Sequence, residues 1–242
     1  MLIEGRKQSR ISGRHLPDPE QEYAALYKIL MDFGYICFMK TRMLIVFLCA
    51  VLSLGAQPNA DSSRLRALYG ETETFDAAFA QIKRIGTDAP YLTVTAADGT
   101  EFNSEVLSDK VVLVHFWFLT CGGCLIENPL LNKVADSLKW NNNFQMLAFA
   151  NNSQEELEHF LDRDSLYFGN RWAMIKRHPE LKFPILADPD EVVFNQFNSW
   201  SYPGNILIDR NGKIRKVIYR HELDMTDEEF LDYLLAQIRE LL

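Results

Sequence analysis

The constraint that binds this chain hardest is an apolar run that ends in a cysteine pair. Val111-Val112-Leu113-Val114 is continuous, apolar and mostly β-branched, the pattern of a strand buried on both faces. It continues through His115-Phe116-Trp117-Phe118-Leu119-Thr120 into Cys121-Gly122-Gly123-Cys124. Two cysteines at this spacing can close a small disulfide ring, ligate a metal or hold a haem, so spacing alone leaves the chemistry open. A buried strand before the pair and a helix after it put the first thiol at a helix N-terminus, which favours a redox dithiol.

The rival chemistries need partners that the chain lacks. A structural zinc site takes four ligands, and no second Cys/His pair stands at suitable spacing. Haem attachment takes a histidine directly after the second cysteine, where Leu125 stands. No metal and no cofactor beyond the dithiol is expected. At a helix N-terminus, backbone N–H groups and the helix dipole favour a thiolate, so Cys121 should ionise below the free value of about 8.5. Cys121 is thus the expected nucleophile, and Cys124, one turn in, the resolving thiol. A purely structural disulfide is the plain alternative.

The first part of the chain differs from the rest. Met39-Lys40-Thr41-Arg42 is a short basic start, Met43 to Leu54 a twelve-residue apolar run, and Gly55-Ala56 supplies small residues before Gln57-Pro58-Asn59. That order is the order of a secretory signal peptide, and twelve residues are too few to span a bilayer comfortably. Residues 39–56 are therefore expected to be a signal peptide, either cleaved or kept as a membrane tether. Residues 1–38 are expected to be a start-site artefact or a disordered extension. Seven of the 25 Lys/Arg and five of the 33 Asp/Glu lie in 1–56, so cleavage after Ala56 takes the net charge from −8 to −10. Cys37 and Cys49 leave with it, so only Cys121 and Cys124 remain in the exported chain. An isolated dithiol in an exported protein points to redox work. The acidic balance, with no basic stripe, argues against a nucleic-acid partner.

Beyond the leader the pattern alternates. Residues 57–86 read as a helical lead-in, with Gly70 as a break. Tyr91–Thr95 and Glu101–Ser108 read as a strand pair around the turn Ala97-Asp98-Gly99-Thr100. The central strand follows, then a helix to about Trp140 with Pro129 inside it, where a kink is expected. Phe144–Ala150 is a buried strand, and Ser153-Gln154-Glu155-Glu156 opens a helix. A further helix is expected at Trp172–His178. Pro184–Asp188 reads as a strand, Glu191–Phe197 as a helix, and Asn205–Asp209 and Ile214–Tyr219 as a hairpin around Asn211-Gly212. Thr226-Asp227-Glu228-Glu229 caps a terminal helix. This is an α/β fold with a mixed central sheet, helices on both faces and an N-terminal strand-pair extension.

From about Ala89 to Leu242 the chain resembles the TlpA/ResA-like exported thioredoxin-fold thiol-disulfide oxidoreductases. The resemblance rests on Val112–Trp117 leading into the cysteine pair, Pro129 five residues after the second cysteine, Tyr202-Pro203 before the strand Asn205–Asp209, and the turn Asp209-Arg210-Asn211-Gly212-Lys213-Ile214. It implies a thioredoxin-like domain over 87–242 and a cis peptide bond before Pro203, which would expose the Tyr202 backbone beside the dithiol. It implies client proteins with disulfides or thiols as substrates, a membrane thiol carrier as electron source, and a place in the periplasm or cell envelope. Some members place a glutamate where Glu127 stands, to move the proton of the buried cysteine. The chain departs from the family at Thr120, where Trp is common, and at Gly122-Gly123, in place of an X-Pro pair. His115 takes the place of the buried acid of thioredoxins.

Around the dithiol, His115 is expected to shuttle protons or, as a cation, to stabilise a thiolate. Trp117, Tyr202, Gly122 and Gly123 are the expected client-contacting residues, with Phe118 and Trp200 as further aromatics nearby. His159, His178 and His221 stand in no recognisable constellation. Two rival functions share the fold. A peroxiredoxin-like thiol peroxidase would carry Pro and Thr seven and three residues before the nucleophile, where Val114 and Phe118 stand. A non-catalytic binding module would use the disulfide structurally.

Overall fold

The computed structural model describes residues 58–242, so the expected leader at 39–56 and the segment 1–38 lie outside the described residues. The chain opens with helices α1 (Pro58–Tyr69) and α2 (Glu73–Ile82). Gly70, at φ 64°, ends α1 in a left-handed turn that L-residues avoid, and its N–H closes on the Arg66 carbonyl. Thr72 then caps α2 by accepting from the Phe75 N–H. Leu65, Phe75 and Ala78 bury between them, against Trp200.

Strands β1 (Thr93–Thr95) and β2 (Glu101–Asn103) pair antiparallel as a separate two-stranded sheet. The strand read from Tyr91 starts two residues later. The Leu92 N–H is already taken by the Ser104 hydroxyl, at the start of the short helix α3 (Ser104–Leu107), and cannot join the ladder.

The main sheet has five strands in the order β5-β4-β3-β6-β7: β3 (Val111–Trp117), β4 (Phe144–Ala150), β5 (Ile185–Ala187), β6 (Gly204–Ile208) and β7 (Ile214–Ile218). β3, β4 and β5 are parallel; β6 runs against them, and β7, antiparallel to β6, runs in their direction again. All seven residues of β3 are buried, as its continuous apolar run requires. Its alternation divides two cores. Val111, Leu113 and Trp117 face α4 (Gly122–Leu138) and the terminal helix α9 (Asp227–Leu241) through Leu131, Val134, Phe230 and Leu234. Val112, Val114 and Phe116 face Leu92 and Phe102 of the strand-pair region and Phe194 of the short helix α8 (Val192–Gln196). The second face is thus covered largely by the strand pair and one short helix.

α4 is assigned as one helix through Pro129, which sits on its exposed face while Leu130, Leu131 and Val134 hold the other side in the core. Between β4 and β5 the chain forms α5 (Gln154–Leu161), α6 (Ser165–Phe168) and α7 (Trp172–Ile175). The helix expected to reach His178 stops at Ile175. There the backbone tightens, with the Arg177 and His178 N–H groups bonding three residues back, and the His178 side chain turns inward.

Candidate functional site: a disulfide above a buried polar chain

The topology delivers Cys121 to the top of β3, where the strand hands over to α4. Cys121 is the N-cap of α4, and its Sγ accepts from the Cys124 N–H at 3.1 Å. The two sulfurs are joined as a disulfide. Both cysteines are buried, whereas Gly122 and Gly123 between them are exposed. A partner therefore reaches the sulfurs past the glycine spacer.

The reverse strand β6 brings the loop Ser201–Pro203 against that spacer, and the Tyr202–Pro203 peptide is cis. A Cβ at Gly123 would lie 2.9 Å from Pro203 Cδ, whereas one at Gly122 meets nothing within 4 Å. The spacer is the first turn of α4, and Gly123 is there because Pro203 leaves no room for a side chain. Gly122→Ala should raise stability by up to about 1 kcal/mol, through helix propensity. Gly123→Ala should lower it by about 1–2 kcal/mol, through overpacking against a rigid ring. Urea unfolding of the two oxidised variants measures the opposite signs.

Beside the spacer, half-buried Tyr202 meets Phe118 edge-on at 5.4 Å and stacks on Phe194 at 4.5 Å. Its hydroxyl donates to Glu191. Trp117 does not join this strip, contrary to expectation. It is fully buried against Phe160 and His178, because the odd positions of β3 point under α4. It is part of the core. Trp200 packs instead on Tyr69 and Tyr219, beneath the lead-in helices.

Under the disulfide lies a chain of five fully or almost fully buried polar side chains: Glu127, Asn205, His115, Asn128 and His178. Glu127 is one turn beyond Cys124 on the buried side of α4. Asn205 Nδ2 donates to Glu127 Oε1. Asn205 stands directly opposite His115 across β3 and β6, with His115 Nδ1 3.0 Å from Asn205 Oδ1. Asn128, the next residue on α4, bonds His178 Nδ1 at 3.1 Å, and His178 Nε2 lies 2.9 Å from the Leu119 carbonyl. The chain thus ends on the backbone two residues before Cys121.

Burial sets the charges here. It pushes Glu127 up to about 7, opposed by the Asn205 bond and the field of Arg220. It pushes His115 down to about 4 and His178 below its ordinary value. Near neutral pH the His115 ring is uncharged, against the expectation of a cation beside the thiolate. His178, which showed no constellation in the sequence, closes one, together with Asn128 and Asn205. Only the buried-strand pattern flagged position 205; nothing local marks Asn128 or His178, 50 residues apart.

A disulfide capping a helix at the end of a central strand, with a cis proline packed against its spacer, defines a thioredoxin-fold thiol-disulfide oxidoreductase of the ResA-like type. The chain belongs to the AhpC/TSA family, whose model matches residues 85–217. It is 27% identical over 134 residues to the thiol-disulfide oxidoreductase ResA of Geobacillus kaustophilus, covering 55% of this chain and 68% of the relative. It is 26% identical over 151 residues to the ResA of Bacillus cereus, covering 62% and 77%. Its fold is similar to the solution structure of "a putative protein disulfide isomerase" from Bacteroides thetaiotaomicron, with a TM-score of 0.50 at 29% identity, over 66% of this chain and 90% of that one. Among the described residues no helix is long and apolar enough to cross a membrane.

Proposed function

We propose that this oxidoreductase reduces disulfides of client proteins in the cell envelope, with no cofactor beyond its own dithiol. The observation that supports the reading best is the disulfide between a helix-capping Cys121 and a fully buried Cys124, reached past an exposed Gly-Gly spacer. In the reduced protein the Cys121 thiolate attacks one sulfur of a client disulfide, forming a mixed disulfide and releasing one client thiolate. Cys124 passes its proton to the Glu127 carboxylate, attacks Cys121 Sγ and frees the second client thiolate. The protein is left oxidised, as in this structure, and the client has gained two electrons. A membrane thiol carrier then restores the dithiol by the reverse exchange. Tyr202, with Phe118, offers the apolar wall against which a client segment lies, and the Tyr202 backbone offers its hydrogen bonds. The leader pattern at 39–56 supports export, with the leader cleaved or kept as a tether.

Cys124→Ala tests this, because it removes resolution and leaves attack intact. Expressed with its leader, the variant should accumulate mixed disulfides that run as discrete, reductant-sensitive bands on non-reducing gels. Adducts formed equally by Cys121→Ser, or none at all, would refute the reading.

A further inference from the structure

The buried chain contains one group whose direction nothing fixes, and that group sits between His115 and Glu127. The far end is fixed. The Leu119 carbonyl only accepts, so His178 carries its proton on Nε2, and its Nδ1 is left to accept from Asn128 Nδ2. Asn128 Oδ1 therefore points away from His178. The Asn128 side chain, like the Gly204 backbone, raises the proton affinity of the His115 ring, which only an acceptor oxygen can do.

Asn205 has two orientations, because an amide can exchange O and N in nearly the same volume. With Nδ2 toward Glu127, Oδ1 needs a proton on His115 Nδ1. His115 Nε2 is then a bare lone pair with no donor to accept from. His115 Nε2, Asn128 Oδ1 and Glu127 Oε2 are in fact all buried without a hydrogen-bond partner in this arrangement. Such groups are costly in a low-dielectric core. With the amide turned over, Nδ2 donates to His115 Nδ1, Nε2–H donates to Asn128 Oδ1, and a protonated Glu127 donates to Asn205 Oδ1. Every one of these links is then made, but only when Glu127 carries a proton.

We propose that the Asn205 amide is a two-position coupler, which holds the His115 proton on Nδ1 when Glu127 is ionised and on Nε2 when Glu127 is protonated. The number of protons on His115 stays at one; the proton gained is the one on Glu127. The coupler makes Glu127 a better acceptor for the Cys124 proton, because the protonated carboxyl finds an acceptor waiting in Asn205. That consequence rests on the role proposed for Glu127, while the coupling itself does not. Both arrangements are populated near neutrality, where Glu127 titrates. The other charged groups facing the chain are Arg220 toward Glu127, and Arg163 and Arg177 toward His178. The disulfide itself does not titrate.

The test uses the oxidised protein without client, so its outcome is independent of any activity. The 15N signals of the His115 ring are followed from pH 5 to 9. Nδ1 should change from pyridine-like to pyrrole-like as pH rises, and Nε2 the reverse, with the midpoint of the Glu127 13Cδ signal. Glu127→Gln removes the titrating group and should flatten both curves. Asn128→Leu removes the acceptor needed when Glu127 is protonated and should lower the shared midpoint, weakening proton binding about threefold to tenfold. A fixed tautomer in the wild type, protonation of both nitrogens together, or a midpoint that survives in Glu127→Gln would each overturn the proposal. A wild type that shows the tautomer switch yet reduces no client would count against the proposed function and leave the coupling standing.

Discussion

Replacing Cys121 by serine is expected to cut insulin-disulfide reduction by on the order of 10³-fold or more. A hydroxyl does not ionise near neutral pH and cannot form the mixed disulfide. The loss should be complete at every pH, whereas the fold should survive. The Cys121 side chain makes one hydrogen bond beyond its disulfide, as acceptor from the Cys124 N–H, and serine is a favoured helix N-cap. The oxidised wild type should nevertheless be the more stable protein by about 2 kcal/mol, since even a short disulfide loop restrains the unfolded chain. Parallel assays and urea unfolding separate the two losses. Activity retained within tenfold in a folded Cys121→Ser protein would reject Cys121 as nucleophile.

The second large effect is on how stability depends on pH. Glu127 has its folded value raised from 4.5 to about 7, so the fold prefers the neutral acid. Its contribution is fully present below the unfolded value near 4.5 and is lost as pH rises through 7. The difference of about 2.5 units is worth on the order of 3 kcal/mol. His115 runs the other way. Its value falls from 6.5 to about 4, so its contribution is present above 6.5 and is lost as pH falls through 4. The two slopes oppose each other between about 4.5 and 6.5, and the wild type should be nearly flat there. Glu127→Gln removes one slope. Relative to wild type, that variant should gain on the order of 3 kcal/mol between pH 4.5 and 8, whatever constant offset the amide introduces. Thermal unfolding of the oxidised proteins across this range measures the difference. Equal pH profiles would mean that Glu127 titrates alike in the folded and unfolded chain. In the reaction, the same variant should resolve mixed disulfides about 10²-fold more slowly at neutral pH, with attack by Cys121 unchanged.

The positions of the strands, the caps and the dithiol were readable because each is a local signal. β3 announces itself by seven consecutive buried positions, α9 by Thr226 and Glu229, which close a capping box, and the β6–β7 turn by Asn211-Gly212. Pro203 and Cys121 were legible from the company they keep in a short window. The misreadings have a common source. Trp117 was assigned to the rim and His178 to nothing, because burial and pairing across 50 or more residues leave no trace in a local pattern. Gly123 was read as a departure from an X-Pro pair, since its real cause, the Pro203 ring 2.9 Å from its missing Cβ, lies 80 positions away.

The sequence by itself determined that a thiol would sit at a helix start behind a buried strand, because strand propensity, helix capping and thiol chemistry act within a few residues. Only the tertiary structure decided the electrostatics around that thiol. It took β3, α4, β6 and the turn after α7 to bring Glu127, Asn205, His115, Asn128 and His178 into one dry space. Desolvation there makes the acid hold its proton and the imidazole refuse one. Desolvation is a property of everything packed around a group, and no window of sequence contains it.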